Sequence, residues 1–158
     1  IGIAGSFNPC YKIGDVVMPV TDCFADFGIE NSDNEFLSVF EAGLLGKNEF
    51  PYKKGNIPAD ISSFSNLDKV VPFVKAVTVN MASGSESTIE KIRNKFNPDI
   101  ETMEGATFFY ICARKKIPFI SVRAISNKVE PVNRDSWNIP LALENLAGKI
   151  EEVILTLE

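Results

Sequence analysis

The chain contains no histidine, and that one absence removes Ser-His-Asp and Cys-His nucleophilic catalysis, imidazole general bases and every histidine-ligated metal site. Any chemistry therefore falls to carboxylates, amides, backbone groups or water. Cysteine is sparse: Cys10, Cys23 and Cys112 stand far apart with no Cys-x-x-Cys pair. This excludes a disulfide framework and a zinc knuckle, and fits a reducing, cytoplasmic setting. No apolar run reaches membrane length and no basic-then-apolar leader opens the sequence, so no membrane association is expected. Clustered positive charge is lacking too. With 16 Lys and Arg against 21 Asp and Glu, the formal net charge is −5, which argues against nucleic acid as a partner. There is no Walker-type phosphate loop, and Gly2-x-x-Gly5 is too short for a dinucleotide fingerprint, so neither an organic cofactor nor a metal is implied.

What is present is enough for one core of ordinary size: 158 residues, 45% of them hydrophobic, read as a single domain over 1–158. The first residues, Ile-Gly-Ile-Ala-Gly, read like the end of a buried strand entering a tight loop, with no initiator Met. A segment preceding Ile1 is therefore expected.

Branched and aromatic residues with partial alternation predict a strand within 15–27, irregular at Pro19. Residues 35–45 suggest a short helix ending near Gly46, and 46–66 a surface excursion without periodicity. The valine-rich stretch 69–82 predicts a buried strand, whole or in two pieces joined at Pro72. Ser87-Thr-Ile-Glu90 has capping-box spacing and opens a helix to about 96. After Pro98 a short extended piece leads to Met103. An apolar helix over 104–115 follows, closed by Arg114, Lys115 and Lys116, cations that suit a helix carboxy terminus. Ile117 to Ile125 reads as a hydrophobic strand, and 139–157 as a last amphipathic helix.

Alternating strands and helices indicate an α/β sheet covered on both faces, where ligands sit beyond the carboxyl ends of strands. That directs attention to Thr102-Met103-Glu104-Gly105 and Ser126-Asn127-Lys128, each just past an expected strand.

Three motifs in order carry a resemblance. Glu101-Thr-Met-Glu-Gly-Ala resembles the Met-Glu-(Ala/Gly)-Ala signature of the nucleoside phosphorylase and nucleosidase superfamily. Arg123-Ala-Ile-Ser-Asn resembles its Arg-x-x-Ser-Asp element, with Asn127 where nucleosidases carry Asp. Gly2-Ile-Ala-Gly-Ser-Phe followed by Lys12-Ile-Gly-Asp resembles its Gly-x-Ala-Gly-Gly loop and Lys-x-Gly-Asp strand entry. The resemblance implies a three-layer α/β/α sandwich with a mixed sheet, lacking the amino-terminal third that in nucleosidases holds the water-activating Glu. It also implies a purine nucleoside as ligand and a homodimer or higher homo-oligomer.

Within the resemblance, Met103 and Glu104 meet the ribose, the carboxylate accepting hydrogen bonds from the sugar hydroxyls and favouring an oxocarbenium-like transition state. Ala4, Gly5 and Ser6 form the substrate-binding loop. Asn127 cannot protonate purine N7 as an Asp does, but its amide can donate to N7 and contact O6 of a 6-oxopurine, so hypoxanthine fits better than adenine. Futalosine hydrolases are similar in three further stretches: Phe24-Ala-Asp-Phe-Gly, the loop before Met103, and the Asn-Arg-Asp-x-Trp-Asn-Ile-Pro run at 133–140. By that similarity Trp137 meets an aryl group on the 5′ side and Arg134 pairs with its carboxylate. The implied activity is hydrolysis of the N-glycosidic bond of futalosine, releasing hypoxanthine, in menaquinone synthesis. Alternatives are a methylthioadenosine nucleosidase, a purine nucleoside phosphorylase, or a nucleoside-binding module without catalysis. Taken one at a time, Glu104 reads equally as a first-turn helix acid, Asn127 as a turn residue, Trp137 as a packing residue and Arg134 as a solvated cation. No aromatic follows Ser83-Gly84 where nucleosidases place the one that stacks on the base.

Overall fold

The structure, a computed structural model, describes residues 1–33, 35–131 and 134–157, the side chains of 63–65 excepted. Asn133, the first residue of the run compared with futalosine hydrolases, lies outside the described residues. In chain order the elements are β1 (Gly2–Ser6), β2 (Val16–Asp22), β3 (Gly28–Glu30), β4 (Phe36–Ser38) and β5 (Ile57–Pro58). A 3₁₀ helix (Ser62–Lys69) then leads to β6 (Phe73–Thr78), α1 (Glu86–Phe96), β7 (Ile100–Thr102) and α2 (Gly105–Lys115). The chain continues with β8 (Arg123–Lys128), a 3₁₀ turn (Arg134–Ser136) and α3 (Ile139–Leu157).

Among the described residues the strands form a six-stranded mixed sheet in the order β5-β2-β6-β7-β1-β8, which is the α/β architecture expected. Parallel pairs are β1 with β8, β2 with β6, and β6 with β7; the remaining pairs run antiparallel. The sheet also curls until Val16 and Val17 of β2 pair with Ala124 and Arg123 of β8, so five strands close on one another. One buried cluster, Ala4, Val17, Val74, Ala76, Ile100 and Ile125, draws on all five of those strands and fills their shared face. Side chains alternate along a strand, so Met18, next to Val17, joins a different cluster with Leu67, Val71 and Val153 of α3. Elsewhere α1 packs Ile89 and Ile92 on Val77 and Val79, and α2 buries Phe109 beside Ile57. Truncating a fully buried Phe such as Phe109 costs about 3–5 kcal/mol. None of the helices among the described residues is long and apolar enough to cross a membrane.

Several local expectations are corrected. Residues 35–45 form no helix: Phe36–Ser38 pairs antiparallel with Gly28–Glu30. Ser38 then turns the chain, its amide and hydroxyl both donating to Glu41 Oε2 at 2.9 and 2.8 Å. The amino-terminal cap of α1 is Ser85 rather than Ser87. Ser85 is extended (φ −118°, ψ 146°) and accepts from Thr88 N, while Ser87 lies inside the first turn. Residues 117–122 lie outside any strand, since Pro118 has no amide to pair and Phe119 packs edge-to-face against Phe108 and Phe109 instead. β8 therefore begins at Arg123 and runs through Lys128, placing Ser126 and Asn127 on the strand itself. Pro19 does mark an irregular point, for the β2–β6 register shifts between Pro19 and Thr21.

Candidate functional site

Three strand ends make the floor of the site. Gly5 of β1 pairs with Glu101 of β7 on one side and with Asn127 of β8 on the other. The register between β1 and β8 slips between Ala4 and Gly5, a bulge of the kind that re-aims side chains at sheet ends. A Cβ on Gly5 would stand 3.0 Å from Asn127 Nδ2 and 2.9 Å from Val129 Cγ2, so any larger residue there would push on the Asn127 and Val129 side chains.

Over this floor lies a cavity of about 190 Å³ lined by Ile3, Ala4, Gly5, Ala82, Glu101, Thr102, Met103, Glu104, Ser126, Asn127 and Trp137. It is smaller than the roughly 300–1,000 Å³ usual for a whole small-molecule ligand, so a ligand seated here would project from its mouth. Six residues selected from the sequence share this cavity: Ala4, Gly5, Met103, Glu104, Asn127 and Trp137. Ser6 and Arg134 do not line it. One step along the strand from Gly5, Ser6 is turned inward, and its hydroxyl donates to Asn8 O at 2.7 Å. Arg134 is exposed, with its guanidinium carbon 5.8 Å from the centroid of the Trp137 ring.

The Asn127 amide is held in one orientation. Lys128 O is only an acceptor, so the atom 3.0 Å from it is Nδ2. Oδ1 accepts from Ser126 Oγ at 2.8 Å. Among the described residues Nδ2 therefore keeps one hydrogen without a partner, and the group beside the cavity is a donor. Trp137 is carried against the same strand end, since the amide of the following Asn138 donates to Ser126 O at 2.8 Å.

Glu104 is the amino-terminal cap residue of α2, yet its side chain makes no capping bond. Its carboxylate is exposed at the cavity, beside the positive end of the helix dipole. The buried guanidinium of Arg123 lies within electrostatic reach of Glu104 and Asp22.

Glu101 is a site residue that sequence reasoning quoted but gave no role. It is buried, and its two oxygens take the amide of Ser83, at 3.0 Å, and the Ser83 hydroxyl. Burial pushes its carboxyl above the ordinary range, the bonds from Ser83 oppose that rise, and nearby Asp26 adds to it. At the other end of the same loop Asp26 accepts from Asn80 N at 2.6 Å and Asn80 Nδ2 at 3.0 Å. The segment bearing Ala82 is thus fastened on both sides. Trp137 is the aromatic among the cavity-lining residues. A signal for Glu101 existed, since an acid in the last turns of a buried strand must face a donor. The described residues contain no group of three or more His, Cys, Asp or Glu placed to hold a metal ion.

Comparison with known proteins adds the following. The chain is 28% identical over 158 residues to the 5′-methylthioadenosine/S-adenosylhomocysteine nucleosidase of Buchnera aphidicola subsp. Schizaphis graminum, covering 89% of this chain and 60% of that protein. It is 27% identical to the futalosine hydrolase of Streptomyces coelicolor, covering 99% of this chain and 64% of the relative. It therefore spans less than two thirds of the length of either. Among solved structures, futalosine hydrolase of Helicobacter pylori superposes with a TM-score of 0.72 at 18% identity, over 99% of this chain and 64% of that one. The Neisseria meningitidis methylthioadenosine/S-adenosylhomocysteine nucleosidase bound to methylthio-immucillin-A gives 0.77 at 20% identity, over 97% and 66%. Those structural likenesses establish the fold. The family model described as Phosphorylase superfamily matches residues 1–155, nearly the whole length, and by that match the chain belongs to the phosphorylase superfamily.

Proposed function

We propose that this chain carries the ribose- and base-binding part of a purine nucleosidase acting on futalosine, with water attacking the anomeric carbon and hypoxanthine leaving. Glu104 accepts hydrogen bonds from the ribose hydroxyls and stabilises the cationic sugar as the bond breaks. Asn127 Nδ2 donates to N7 of the departing base, stabilising it without protonating it. Trp137, which lines the cavity, offers a flat face to the aryl group on the 5′ side, and Arg134 lies beside that ring to meet the aryl carboxylate. Glu101 is committed to Ser83, and we give it no part in activating water.

The observation that carries this reading is the pinned Asn127 amide, a donor where an adenine-releasing enzyme would need an acid. A second reading, a methylthioadenosine/S-adenosylhomocysteine nucleosidase, is favoured by the first relative described above. One assay separates the readings. The full-length protein is incubated with futalosine, methylthioadenosine and inosine, with and without phosphate, and the released base is measured. Hypoxanthine from futalosine without phosphate supports the proposal. Adenine release favours the second reading, phosphate-dependent cleavage makes the protein a phosphorylase, and binding without cleavage makes it a nucleoside-binding module. A cytoplasmic, homo-oligomeric protein belongs to the same reading, and Cys10, Cys23 and Cys112 are all free thiols.

A further inference from the structure

Beneath the turn that carries Glu104 runs a buried chain of polar groups that meets the cavity lining only at Thr102. Asp22, at the end of β2, is fully buried, and its Oδ1 accepts from Thr78 Oγ1 at 3.0 Å. Thr78 Oγ1 accepts from Ala106 N at 2.7 Å and lies 3.1 Å from Thr102 Oγ1. Thr102 Oγ1 in turn accepts from Gly105 N at 3.2 Å.

A hydroxyl has one hydrogen to give. That of Thr78 goes to Asp22, so the Thr78–Thr102 bond is donated by Thr102. Every hydrogen in the chain then points the same way, from the first amides of α2 down to the Asp22 carboxylate. The other oxygen, Asp22 Oδ2, has no hydrogen-bond partner among the described residues. It abuts the start of α2 so closely that a Cβ on Gly105 would stand 2.1 Å from it, a place where the helix dipole favours negative charge.

The consequence concerns Glu104. The first amides of a helix are ordinarily satisfied by the side chain of the cap residue itself. Here Gly105 N and Ala106 N are satisfied from below by two threonine hydroxyls, and the cap residue makes no such bond. We propose that Asp22, acting through Thr78 and Thr102, is the positioning residue that keeps the Glu104 carboxylate turned to the cavity instead of capping its own helix. The proposal rests on reading Glu104 as the acceptor for the ribose hydroxyls.

The test compares kcat/KM for futalosine and 2′-deoxyfutalosine in the full-length wild type and in Asp22→Asn, Thr78→Val and Thr78→Ser. Thr78→Val removes the three hydrogen bonds of the Thr78 hydroxyl and Asp22→Asn the ionisable acceptor at the end of the chain, and each is predicted to lower the preference for the ribose substrate about 10- to 100-fold. The deoxy substrate should be cleaved nearly as before, and Thr78→Ser, which keeps the hydroxyl, should keep the wild-type preference. If Asp22→Asn does not fold, Thr78→Val and Thr78→Ser carry the comparison alone, since Thr78→Val leaves the amide of Ala106 unpaired and Thr78→Ser does not. Equal losses on both substrates would show a merely structural role and overturn the proposal. A wild type that prefers neither sugar overturns the ribose reading of Glu104 itself, whereas a wild-type preference that survives in Thr78→Val overturns the positioning role alone.

Discussion

Asp22 gives the protein a pH dependence of stability opposite in sign to that of a paired surface carboxylate. Burial raises its pKa from the ordinary 3.8 to about 7, with Thr78, the backbone at Cys23 and Arg123 each opposing the rise. The unfolded chain releases this proton near pH 4 and the folded one near pH 7. Between those values the folded state binds more protons, so the free energy of unfolding falls as pH rises. Below about 4 both states are protonated and above about 7 both are ionised, so the slope vanishes at each end. At about 1.4 kcal/mol per decade, the span from 3.8 to about 7 amounts to about 4 kcal/mol. That is a large fraction of the ~5–15 kcal/mol that holds a domain folded. Glu41 acts in the other direction. Its carboxyl is held down to about 2, chiefly by Lys95, so its contribution is lost only at acid pH, outside this window. The assay is urea unfolding of wild type and Asp22→Asn from pH 4.5 to 8.5, taken as a difference so that all other titrations cancel. Wild-type stability relative to the variant should decline by about 3 kcal/mol over that range, most of it between pH 5 and 7, the rest of the span lying below pH 4.5. A flat difference, or one that grows with pH, would refute the argument that this acid is buried without full compensation.

Three further outcomes follow from the site. Glu104→Gln should lower kcat/KM by about 10- to 100-fold, because an amide replaces the charged acceptor; turnover near wild type in a base-release assay would remove its ribose role. Asn127→Asp should shift selectivity toward adenine nucleosides, since a carboxylic acid there adds general acid catalysis worth roughly 10²–10⁴-fold; an unchanged ratio of adenine to hypoxanthine release would separate residue 127 from base recognition. Ser83→Ala should cost about 1–3 kcal/mol in thermal or urea unfolding by leaving the buried Glu101 carboxyl short of donors, and should raise KM as the loop bearing Ala82 loosens. A variant as stable as wild type would show that this tie carries no weight.

How far the sequence foretold this site depended on whether the signal was local. The apolar spacing over 139–157 and the cations after Cys112 predict α3 and α2 with ends near those found, because periodicity and end charges are properties of a single segment. Glu104 and Asn127 do line one cavity, but the rule that parallel strands deliver their carboxyl ends to one edge does not explain it, because β7 runs antiparallel to β1 and β8. Closure of the sheet by β2 on β8 left no mark, since it depends on residues more than a hundred positions apart. Phe36, Leu37, Val39 and Phe40 have a spacing that fits a helix as well as a hairpin strand, and pairing with β3 decides between them. Ser6 looked like part of a binding loop because motif reading ignores the alternation that turns it away. Asp22 was invisible for a different reason: an acid near the end of an apolar strand reads as exposed until the fold places α2 on top of it.

The central claim is that one nucleoside bridges Glu104 and Asn127, its sugar at the first and its base at the second. The most direct measurement is a chemical-shift titration of the isotopically labelled protein with ribose, hypoxanthine and inosine in turn. The account predicts that ribose perturbs residues 102–105, that hypoxanthine perturbs 126–128 and the Trp137 indole, and that inosine perturbs both sets together. Shifts from either fragment confined to other parts of the chain, or inosine signals at one set alone, would contradict it.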